Sequence, residues 1–412
     1  MKTTIKRRIE QIKRGEVPPG YKKTKVGVVP KEWDYVKLEP YLVQHHEVSE
    51  CNNQYPVLTS SRKGIFLQKD YYTQEVASED NTGYNVVPRG YFTYRHMSDD
   101  EIFKFNINTI VDKGIVSTLY PVFTTKNIND YFLQTLLNEG CEFRRYAVLQ
   151  KQGGSRTYMY FNKLENLNIH LPPLAEQEKI AKILATQDKV IALKEKLLEE
   201  KKKQKKYLMQ QLLTGKKRLP GFSGEWGKVK LGDIFSERVE TNNTHLQLLS
   251  VTGNQGVIPR SEIETKDNSS DDKSKYLKIC KGDIGYNTMR MWQGVSALSE
   301  YEGIVSPAYT ILVPSDSISA KYFAYLFKMH AVIFLFYRFS QGIVDDTRCL
   351  KYPEFAKLSL YVPNDKKEQE AIAEILSNAD KEISIIQKSI DQEKQKKKAL
   401  MQLLLTGIVR TV

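Results

Sequence analysis

Residues Glu176 to Arg218 read EQEKIAKILATQDKVIALKEKLLEEKKKQKKYLMQQLLTGKKR, and Glu368 to Arg410 read EQEAIAEILSNADKEISIIQKSIDQEKQKKKALMQLLLTGIVR. Aligned without a gap at an offset of 192, the two stretches are identical at 22 of 43 positions. This period is much longer than the roughly 20–50 residues of a solenoid repeat. The repeat therefore indicates that half of the molecule was duplicated, so the sequence predicts two similar halves.

Both stretches have the spacing of long amphipathic helices. Apolar residues recur at intervals of three, four and seven, which places one apolar stripe on each helix, as in a coiled coil. Proline precedes each helix, at Pro172 and Pro363, and Gly215 and Gly407 follow the last apolar turns as C-terminal caps would. The expected helix–helix seam consists of Ile180, Leu184, Ile191, Leu198, Leu208 and Leu212 in the first copy and Ile372, Leu376, Ile383, Ile390, Leu400 and Leu404 in the second.

The two helices are long enough to act as rods. About 40 helical residues span about 60 Å. The middle of each helix, Lys201–Lys206 and Glu393–Lys398, has no apolar seam but consists of strong helix formers. Because two copies joined by a compact domain must return on each other, we expect them to pair as an antiparallel coiled coil. The alternative is that each helix packs on the surface of a separate domain.

The regions between the helices repeat as well. VPKEWDYVKL around Trp33 matches FSGEWGKVKL around Trp226. Each copy has short β-rich stretches, such as Tyr309–Val313, and one amphipathic helix, expected at 130–137 and at 321–337. The sequence thus predicts a mixed α/β (α+β) fold of two duplicated globular domains separated by two long helices. The expected segments are a basic N-terminal arm or helix (1–25), a first globular domain (26–171), a central helix (172–215), a second globular domain (216–362) and a C-terminal helix (363–407).

Composition excludes several classes of protein. The 412 residues suffice for two or three domains, and 41% of them are hydrophobic. Met1–Lys25 lacks the apolar segment of a signal peptide, and the longest apolar run, Ala331–Tyr337, is far shorter than a membrane span. The four cysteines form no CxxC pair, and His45–His46 has no partner at ligand spacing. We therefore expect a cytoplasmic protein without a metal site.

Positive charge is concentrated in three segments. The net charge is +13, whereas Met1–Lys25 carries +7, Lys194–Arg218 carries +7 and Lys388–Lys398 carries +3. The remainder of the chain is therefore slightly acidic. These lysines either solvate exposed helix faces or lie within reach of a phosphate backbone, and the equivalent positions of two of the clusters in the repeat favour the second interpretation.

Motifs of catalysis are missing from the sequence. It has neither GxxxxGK[ST] nor GxGxxG, which would hold ATP or a dinucleotide. GxSxG, HExxH and the (Asp/Asn)-Pro-Pro-(Tyr/Phe) tetrapeptide of adenine methyltransferases are also absent. Glu264–Lys266 fits half of a nuclease motif, but similar triplets recur throughout this lysine-rich chain. Together these gaps favour a binding protein over an enzyme.

The motifs of the repeat carry a family resemblance. PPLAEQEKIAKIL (172–184) opens the first helix and LMQQLLTGKKRLPGF (208–222) closes it, while EQEAIAEIL and LMQLLLTG repeat both motifs in the second copy. In these motifs and over its whole length the chain resembles the DNA-specificity (S) subunit of type I restriction-modification systems. It departs from the pattern at 364–367, where NDKK replaces the proline-rich start of the first helix.

The resemblance implies a non-catalytic chain with two target-recognition domains, each reading one half of a bipartite, asymmetric site on double-stranded DNA. The helices would fix the spacer, since one residue more or less would rotate one domain by about 100°. It also implies two methylation subunits that dock on the helices and two restriction/motor subunits. S-adenosylmethionine, ATP and Mg are then expected on those partner subunits, and no cofactor on this chain.

Residues that read bases are expected on loops at matched places in the two domains. Direct readout needs Arg, Lys, Asn or Gln side chains at the edges of a groove. For each position the alternative is a solvated turn or a structural ion pair, and Met289, Met291 and Trp292 are expected in the core. The expected DNA-binding residues are Arg62, Lys63, Arg95, Gln152, Ser155 and Arg156 in the first domain and Asn254, Gln255, Arg290, Gln341 and Arg348 in the second.

Two other functions fit part of the sequence. A stand-alone DNA-binding regulator or scaffold could use the same coiled coil, and it would bind its target tightly without other subunits. A fused nuclease or methyltransferase would need catalytic motifs that are missing here.

Overall fold

A computed structural model of the protein describes residues 2–25, 27–71, 79–151, 154–253, 255–263, 269–342 and 344–411. The chain divides into two compact units. Unit 1 contains Met1–Leu193 together with Ile390–Val412, and unit 2 contains Lys194–Ser389. Within the described ranges, no helix is long and apolar enough to cross a membrane.

Unit 1 begins with a helix and continues as short strands and helices that lead into a long helix. Its elements are α1 (Lys2–Lys13), β1 (Tyr21–Thr24), β2 (Gly27–Pro30), β3 (Asp34–Lys37), a 3₁₀ turn (Glu39–Tyr41), β4 (Leu42–His45), β5 (Leu58–Ser61), β6 (Gly64–Leu67), α2 (Gln68–Tyr71), β7 (Asn85–Pro88), β8 (Phe92–Thr93), β9 (Met97–Ser98), β10 (Asn106–Ile107), β11 (Lys113–Val116), β12 (Val122–Thr125), α3 (Asp130–Glu139), α4 (Cys141–Leu149), β13 (Thr157–Tyr158), α5 (Phe161–Glu165), β14 (Asn168–Leu171) and the start of α6 (Leu174–Leu212).

Unit 2 begins within α6, at Lys194, and has fewer strands than unit 1. Its elements are β15 (Trp226–Lys230), α7 (Leu231–Ile234), β16 (Phe235–Glu237), β17 (Leu249–Val251), β18 (Val257–Pro259), a 3₁₀ turn (Arg260–Glu262), β19 (Leu277–Ile279), β20 (Ile284–Asn287), a 3₁₀ turn (Met291–Gln293), β21 (Ser296–Leu298), β22 (Gly303–Val305), β23 (Tyr309–Pro314), α8 (Ala320–Leu326), α9 (His330–Phe339), a 3₁₀ turn (Asp345–Thr347), α10 (Tyr352–Ala356), β24 (Ser359–Pro363) and the start of α11 (Lys366–Leu405).

Each unit is built around one four-stranded antiparallel sheet. The strand order is β10-β8-β12-β4 in unit 1 and β16-β23-β20-β21 in unit 2, and the remaining strands pair two by two. In unit 1 the stacked rings of Phe92 and Phe123 join Phe132 of α3 in the core, and in unit 2 Phe235 packs edge-on against Phe323 of α8. The predicted mixed α/β fold with two duplicated domains is confirmed.

The strands at the repeated tryptophan segments, β3 and β15, each pair with the strand that precedes the next long helix. β3 pairs antiparallel with β14, and β15 pairs antiparallel with β24. These pairs bring the start of each globular domain to the residues that precede the next long helix. The tryptophan segment therefore recurs in the sequence because it forms the same strand pair in each unit.

The two long helices pair antiparallel within each unit. In unit 2, Lys194 Nζ donates to Ser389 Oγ at 2.7 Å, and Lys201 and Lys205 form ion pairs with Glu382 and Asp380. Residue numbers along α6 thus increase while those of their partners on α11 decrease, which means that the two helices run antiparallel. The antiparallel pairing is confirmed, and the alternative of two helices that pack separately is wrong.

Unit 1 contains the same pairing between the start of α6 and the end of α11. Gln187 Nε2 donates to Glu393 Oε2 at 2.7 Å, and Lys397 Nζ lies 2.5 Å from Asp188 Oδ1. These contacts explain how the middle of each helix pairs without an apolar seam. Some of the clustered lysines thus form ion pairs between the two helices, so part of the positive charge on the helices has a structural role.

A buried carboxylate lies at the start of each long helix. The Glu176 side chain is fully buried, and its Oε1 accepts from Arg410 Nε at 2.7 Å while its Oε2 accepts from Trp33 Nε1 at 3.1 Å. Glu368 repeats the arrangement with Arg218 and Trp226. Burial of an acidic side chain requires such compensation. The EQE, LTG-x-x-R and EW motifs of the repeat are therefore parts of one cluster in each unit.

The second long helix begins without the proline-rich segment of the first. Asp365 precedes α11, and its Oδ1 accepts a hydrogen bond from the backbone N of Lys367 at 2.8 Å. Gln369 Nε2 donates to the Pro363 carbonyl, as Gln177 Nε2 donates to the Pro172 carbonyl. An acidic cap thus replaces the proline at this helix start.

One predicted helix is wrong, and one helix of the structure was not predicted. The helix expected at 321–337 is two helices, because α8 ends at Leu326 and α9 begins at His330. Lys328, between them, turns toward backbone carbonyls, and the apolar period continues across the break without indicating it. In unit 1, α3 is followed by a second helix, α4, that was not predicted.

The sequence GIVS occurs at 114–117 and again at 303–306, and it marks a tight backbone contact in each half. A Cβ on Gly114 would lie 2.5 Å from Leu58 Cδ1, and one on Gly303 would lie 2.5 Å from the Gln247 carbonyl and 2.6 Å from Leu249 Cδ1. Leu58 and Leu249 occupy the first strands of matched hairpins. Glycine therefore recurs because no side chain fits at these positions.

Candidate nucleic-acid interface

The first pair of expected reading segments forms hairpin turns. Arg62 and Lys63 are exposed at the two-residue turn between β5 and β6, where Ser61 Oγ accepts from the Lys63 N. In unit 2, exposed Gln255 lies in the turn between β17 and β18, closed by a hydrogen bond from the Thr252 N to the Gly256 carbonyl. The two turns occupy equivalent places in their units.

In unit 1, the turn of Arg62 and the segment of Arg95 line one cleft of about 200 Å³. Arg95 follows β8 and is exposed. Thr59 is buried in the wall of the cleft, and its hydroxyl has no hydrogen-bond partner among the described residues. Asp99 lines the same cleft, which therefore offers donors and acceptors together.

Three cations of unit 1 are held by one acidic turn, Asp99–Glu101. Arg62 Nη1 and Nη2 donate to Asp100 Oδ2 and Oδ1 at 2.9 and 2.5 Å, and Arg156 Nε donates to Asp99 Oδ1 at 2.9 Å. Lys151 Nζ lies 2.6 Å from Glu101 Oε1. The hydrogen bonds from Arg62 hold the pKa of Asp100 below its usual value. Arg156 is thus held against Asp99, which lines the cleft.

Ser155 is exposed next to Arg156, in the loop between α4 and β13. Gln152 in the same loop and Asn254 in the turn of unit 2 lie outside the described residues. Nothing further follows for these two positions, which stay predictions from the sequence.

In unit 2, Lys328 ties two of the expected reading segments together. Its Nζ donates to the carbonyls of Gly253, Gly294 and Ser296 at 3.3, 2.7 and 2.6 Å. Burial outweighs these acceptors and lowers the pKa of Lys328 to about 8. This lysine was not expected to have a role, although a lysine inside the apolar stretch 322–337 was a possible signal.

An aromatic contact joins Arg348 to the segment of Arg290. Arg348 lies over the ring of Tyr337, 4.2 Å from its centroid, and its Nε donates to Asp345 Oδ1 at 2.9 Å. The Tyr337 ring packs edge-on against Trp292, whose Nε1 donates to the Met289 carbonyl. The expected reading residues of unit 2 therefore lie on segments that contact one another.

The side chains of these segments differ in exposure. Arg290 is half-buried, and Gln341 is exposed while its backbone forms two hydrogen bonds with Cys349. Met291 is in the core as expected, Trp292 is half-buried, and Met289 is 44% exposed. The expectation that all three would be core residues is therefore wrong for Met289, which lies before the 3₁₀ turn Met291–Gln293 that carries the buried Met291.

The expected seam residues are buried or half-buried on the paired helices. Ile180, Leu184 and Leu404 belong to the core of unit 1, and Leu212 and Leu376 belong to the core of unit 2. The other buried members are Ile191, Leu198, Ile372 and Ile390, and the half-buried members are Leu208, Ile383 and Leu400.

No group of three or more His, Cys, Asp or Glu residues that could hold a metal ion occurs in the described ranges. The polar groups of the interface include arginines, amides and hydroxyls, beside the acidic turn Asp99–Glu101. Such groups can form hydrogen bonds to base edges and phosphates.

Known proteins resemble this chain in both of its halves. The family model described as the type I restriction modification DNA specificity domain matches residues 54–203 and again residues 223–394. The type I restriction enzyme MjaVIII specificity subunit of Methanocaldococcus jannaschii is 27% identical over 331 residues, which cover 72% of this chain and 75% of that protein. The candidate MjaX specificity subunit of the same organism is 24% identical over 423 residues, covering 95% and 96%.

Solved structures share the fold. The crystal structure of the S subunit of a type I restriction-modification system from M. genitalium matches 90% of this chain and 96% of its own, with a TM-score of 0.54 and 13% identity. A chain from a structure on complex assembly and conformational transition of the type I R-M system matches 92% and 99%, with a TM-score of 0.54 and 15% identity. Because the family model covers most of both halves of the chain, this protein belongs to the type I restriction-modification DNA specificity family.

Proposed function

We propose that each unit reads one half of a bipartite, asymmetric site on double-stranded DNA. The observation that carries this proposal is the matched pair of hairpin turns, with Arg62 and Lys63 on one and Gln255 on the other, on a duplicated scaffold. Each turn lies beside further segments with arginines. Since the two sets of side chains differ, the half-sites differ as well.

The reading residues proposed for unit 1 are those around its cleft, and those proposed for unit 2 lie on the segments joined by Lys328 and Tyr337. Arginine pairs with guanine, and asparagine or glutamine pairs with adenine, each by two hydrogen bonds. The ion pairs of Arg62 and Arg156 are compatible with this role, because exposed ion pairs are weak and exchange readily. The Arg348 side chain is only 19% exposed, so we propose it as a reading residue on the strength of its position beside the segment of Arg290. Phosphate contacts from neighbouring lysines would fix the register.

The two long helices would fix the spacer between the half-sites and dock the methylation subunits. The continuity of α6 and α11, each a single helix with residues in both units, supports this role. We propose their twelve apolar seam residues as the contacts that hold the helices together. The assembly would contain two methylation subunits with S-adenosylmethionine and two restriction/motor subunits with ATP and Mg.

Base-modification sequencing tests the proposal. Genomic DNA would be read from a host without other modification systems that carries the cognate methylation subunit, with and without this chain. A split motif with a fixed spacer, methylated only when the chain is present, is the expected result. Exchange of residues 26–171 for the corresponding domain of a relative should then change one half of the motif. Methylation that does not depend on the chain would contradict the proposal and leave a stand-alone DNA-binding protein to be tested.

A further inference from the structure

One exposed face of unit 1 combines an arginine with aromatic rings. Thr157 and Met159 are buried, whereas Arg156 and Tyr160 are exposed and Tyr158 is half-buried. This alternation is that of an extended chain, in which successive side chains lie on opposite sides. Arg156, Tyr158 and Tyr160 therefore share the outer side, where the Tyr160 side chain is 48% exposed.

The rings of this face form a stack with a histidine, here called the unit 1 stack (His96, Tyr158 and Tyr160). The rings of Tyr158 and Tyr160 are parallel within 13°, with centroids 5.7 Å apart, and the His96 ring lies 5.0 Å from that of Tyr160. His96 follows Arg95, which is exposed. The stack is thus built from the segments that carry Arg95 and Arg156, two of the expected reading residues.

The cleft beside the unit 1 stack favours a phosphate. Its lining contains three cations and one carboxylate, namely Arg62, Arg95, Lys104 and Asp99. The same lining contains Met97, which pairs with Tyr158 across β9 and β13. Because cations outnumber the carboxylate, the cleft attracts phosphate oxygens. A nucleotide would therefore find a cationic lining for its phosphate close to aromatic rings for its base.

Unit 2 has a stack of its own, here called the unit 2 stack (Trp292, Phe334 and Tyr337). The rings of Phe334 and Tyr337 on α9 are parallel within 15°, and the Tyr337 ring packs edge-on against Trp292. The Phe334 side chain is 52% exposed, and Arg348 lies over the Tyr337 ring. Two of these rings lie on a helix, whereas the rings of unit 1 lie on β13 and extended segments, so duplication of the sequence does not explain why both units have a stack.

Exposed rings beside arginines match the faces of nucleic-acid bases. A cluster of exposed apolar side chains marks an interaction site. Bases of any sequence stack on aromatic side chains, and arginine adds cation–π contacts. In a fully paired duplex the neighbouring bases cover each face, so only a base that has left the stack can present one. Methyltransferases turn their target base out of the duplex, which leaves its partner unpaired.

We propose that the aromatic stack of each unit binds the face of a DNA base that has lost its pairing within the half-site. The inference rests on the proposed function, because it places that base in the half-site read by the same unit. In unit 1, the cations of the cleft attract the phosphates next to the base. The stacks thus stabilise a distorted half-site, and the intact duplex outside it offers them nothing to bind.

A duplex with one unpaired thymine tests the proposal. The full chain would be titrated with a labelled duplex of arbitrary sequence that carries the unpaired thymine at its centre, and with the same duplex fully paired. The wild type should bind the first duplex about tenfold more tightly. The double variant Tyr160→Leu/Phe334→Leu removes an exposed ring from each stack, so it should lose this preference and bind the paired duplex as before. Equal binding of the two duplexes by the wild type, or an unchanged preference in the variant, would overturn the proposal.

Tyr35→Leu/Tyr361→Leu is the matched control. These tyrosines are 61% and 64% exposed, one in each unit, and they lie on β3 and β24, which carry none of the expected reading residues. The control loses as many exposed rings and should keep the preference; its loss there would refute a role for the stacks. Leucine stays apolar, so stacks that dock a protein subunit instead would leave the binding of both duplexes unchanged in Tyr160→Leu/Phe334→Leu, which also contradicts the proposal.

Tryptophan fluorescence tests the unit 2 stack by itself. Of the three tryptophans in the chain, Trp33 and Trp226 are buried and Trp292 is half-buried. A base on the unit 2 stack should change the emission of Trp292 when the duplex with the unpaired thymine is added, and the paired duplex should have little effect. Trp292→Phe keeps a ring and should abolish the change. A change that persists in this variant would rule out a base at the unit 2 stack.

Failure of this inference can be told apart from failure of the proposed function. Base-modification sequencing reports whether the wild-type chain directs a split methylation motif, and the two duplexes report whether the stacks bind an unpaired base. A split motif without a preference for the unpaired thymine refutes only the inference drawn here. The absence of a split motif refutes the proposed function, and the half-site role of the stacks with it.

Discussion

Arg218 donates two hydrogen bonds to the buried carboxylate of Glu368, from Nε to Oε1 at 2.6 Å and from Nη2 to Oε2 at 2.8 Å. Arg410 and Glu176 repeat the contact at an offset of 192 in the other unit. Each pair joins the residues after one long helix to the first turn of the other. This contact between the two helices is therefore a repeated structural element rather than an isolated ion pair.

Loss of Arg218 should strongly destabilise unit 2. Arg218→Ala leaves the 2%-exposed Glu368 side chain without its cation, so the free energy of unfolding should fall by about 3–5 kcal/mol. Urea denaturation followed by circular dichroism measures this change. Lys281→Ala is the control, because its pair with Glu300 is exposed and should contribute less than about 0.5 kcal/mol. Equal effects would contradict the structural importance of the buried pair.

Alanine at the glycines of the GIVS motifs should be destabilising in a definite order. Gly303→Ala meets the Gln247 carbonyl, which cannot move alone, whereas Gly114→Ala first meets the tip of the Leu58 side chain. We expect losses of about 1–3 kcal/mol, larger for Gly303→Ala. Thermal unfolding of both variants measures them. Gly224→Ala, with open space around its Cβ, should be neutral, and a neutral Gly303→Ala would show that the close packing is wrong.

The stability of unit 2 should depend on Lys328 in a narrow range of alkaline pH. Burial lowers its pKa from 10.5 to about 8, so the unfolded chain binds more protons than the folded one between those values. The free energy of unfolding of the wild type, relative to Lys328→Met, should therefore rise from about pH 8 to about pH 10.5, by roughly 2–3 kcal/mol at most. A difference that stays constant or falls over this range would refute the lowered pKa.

Arginine variants should affect one half-site each. Arg156→Ala should lower methylation at the half-site read by unit 1, and Arg348→Ala at the other, each by about tenfold through a loss of about 1–3 kcal/mol. Sequencing of modified bases in the host genome measures both half-sites in one experiment. Arg89→Ala, an exposed arginine of unit 1 away from the cleft, is the control. Equal loss at both half-sites would count against the assignment.

The long helices and the duplication could be predicted because their signals are local and repeated. The stripe of Ile180 and Leu184 has a helical period, and the same period at the offset of 192 supports it. The strands β3 and β15 were also visible, as matching segments around Trp33 and Trp226. These features decide the fold, so the fold class followed from the sequence.

The contacts of the interface could not be predicted in the same way. Arg156 reaches Asp99 because two strands of two residues each, β9 and β13, pair across 59 positions of sequence, and strands this short have no readable period. In the sequence, Lys328 has the spacing of a polar residue in one amphipathic helix, whereas in the structure the helix is interrupted at this position. Side-chain partners depend on these distant pairings, and a single sequence does not contain them.

Unit 1 is assembled from two segments that are separated by the whole of unit 2. During synthesis, unit 2 has all its residues once Ser389 has left the ribosome. Glu176 and the apolar residues around Ile180, in contrast, find their partners Arg410 and Leu404 only when residues 390–411 have been made. Unit 1, which is the first to be translated, is therefore the last that can complete its fold. Until then its unfinished core is open to chaperones, to proteases and to other nascent chains.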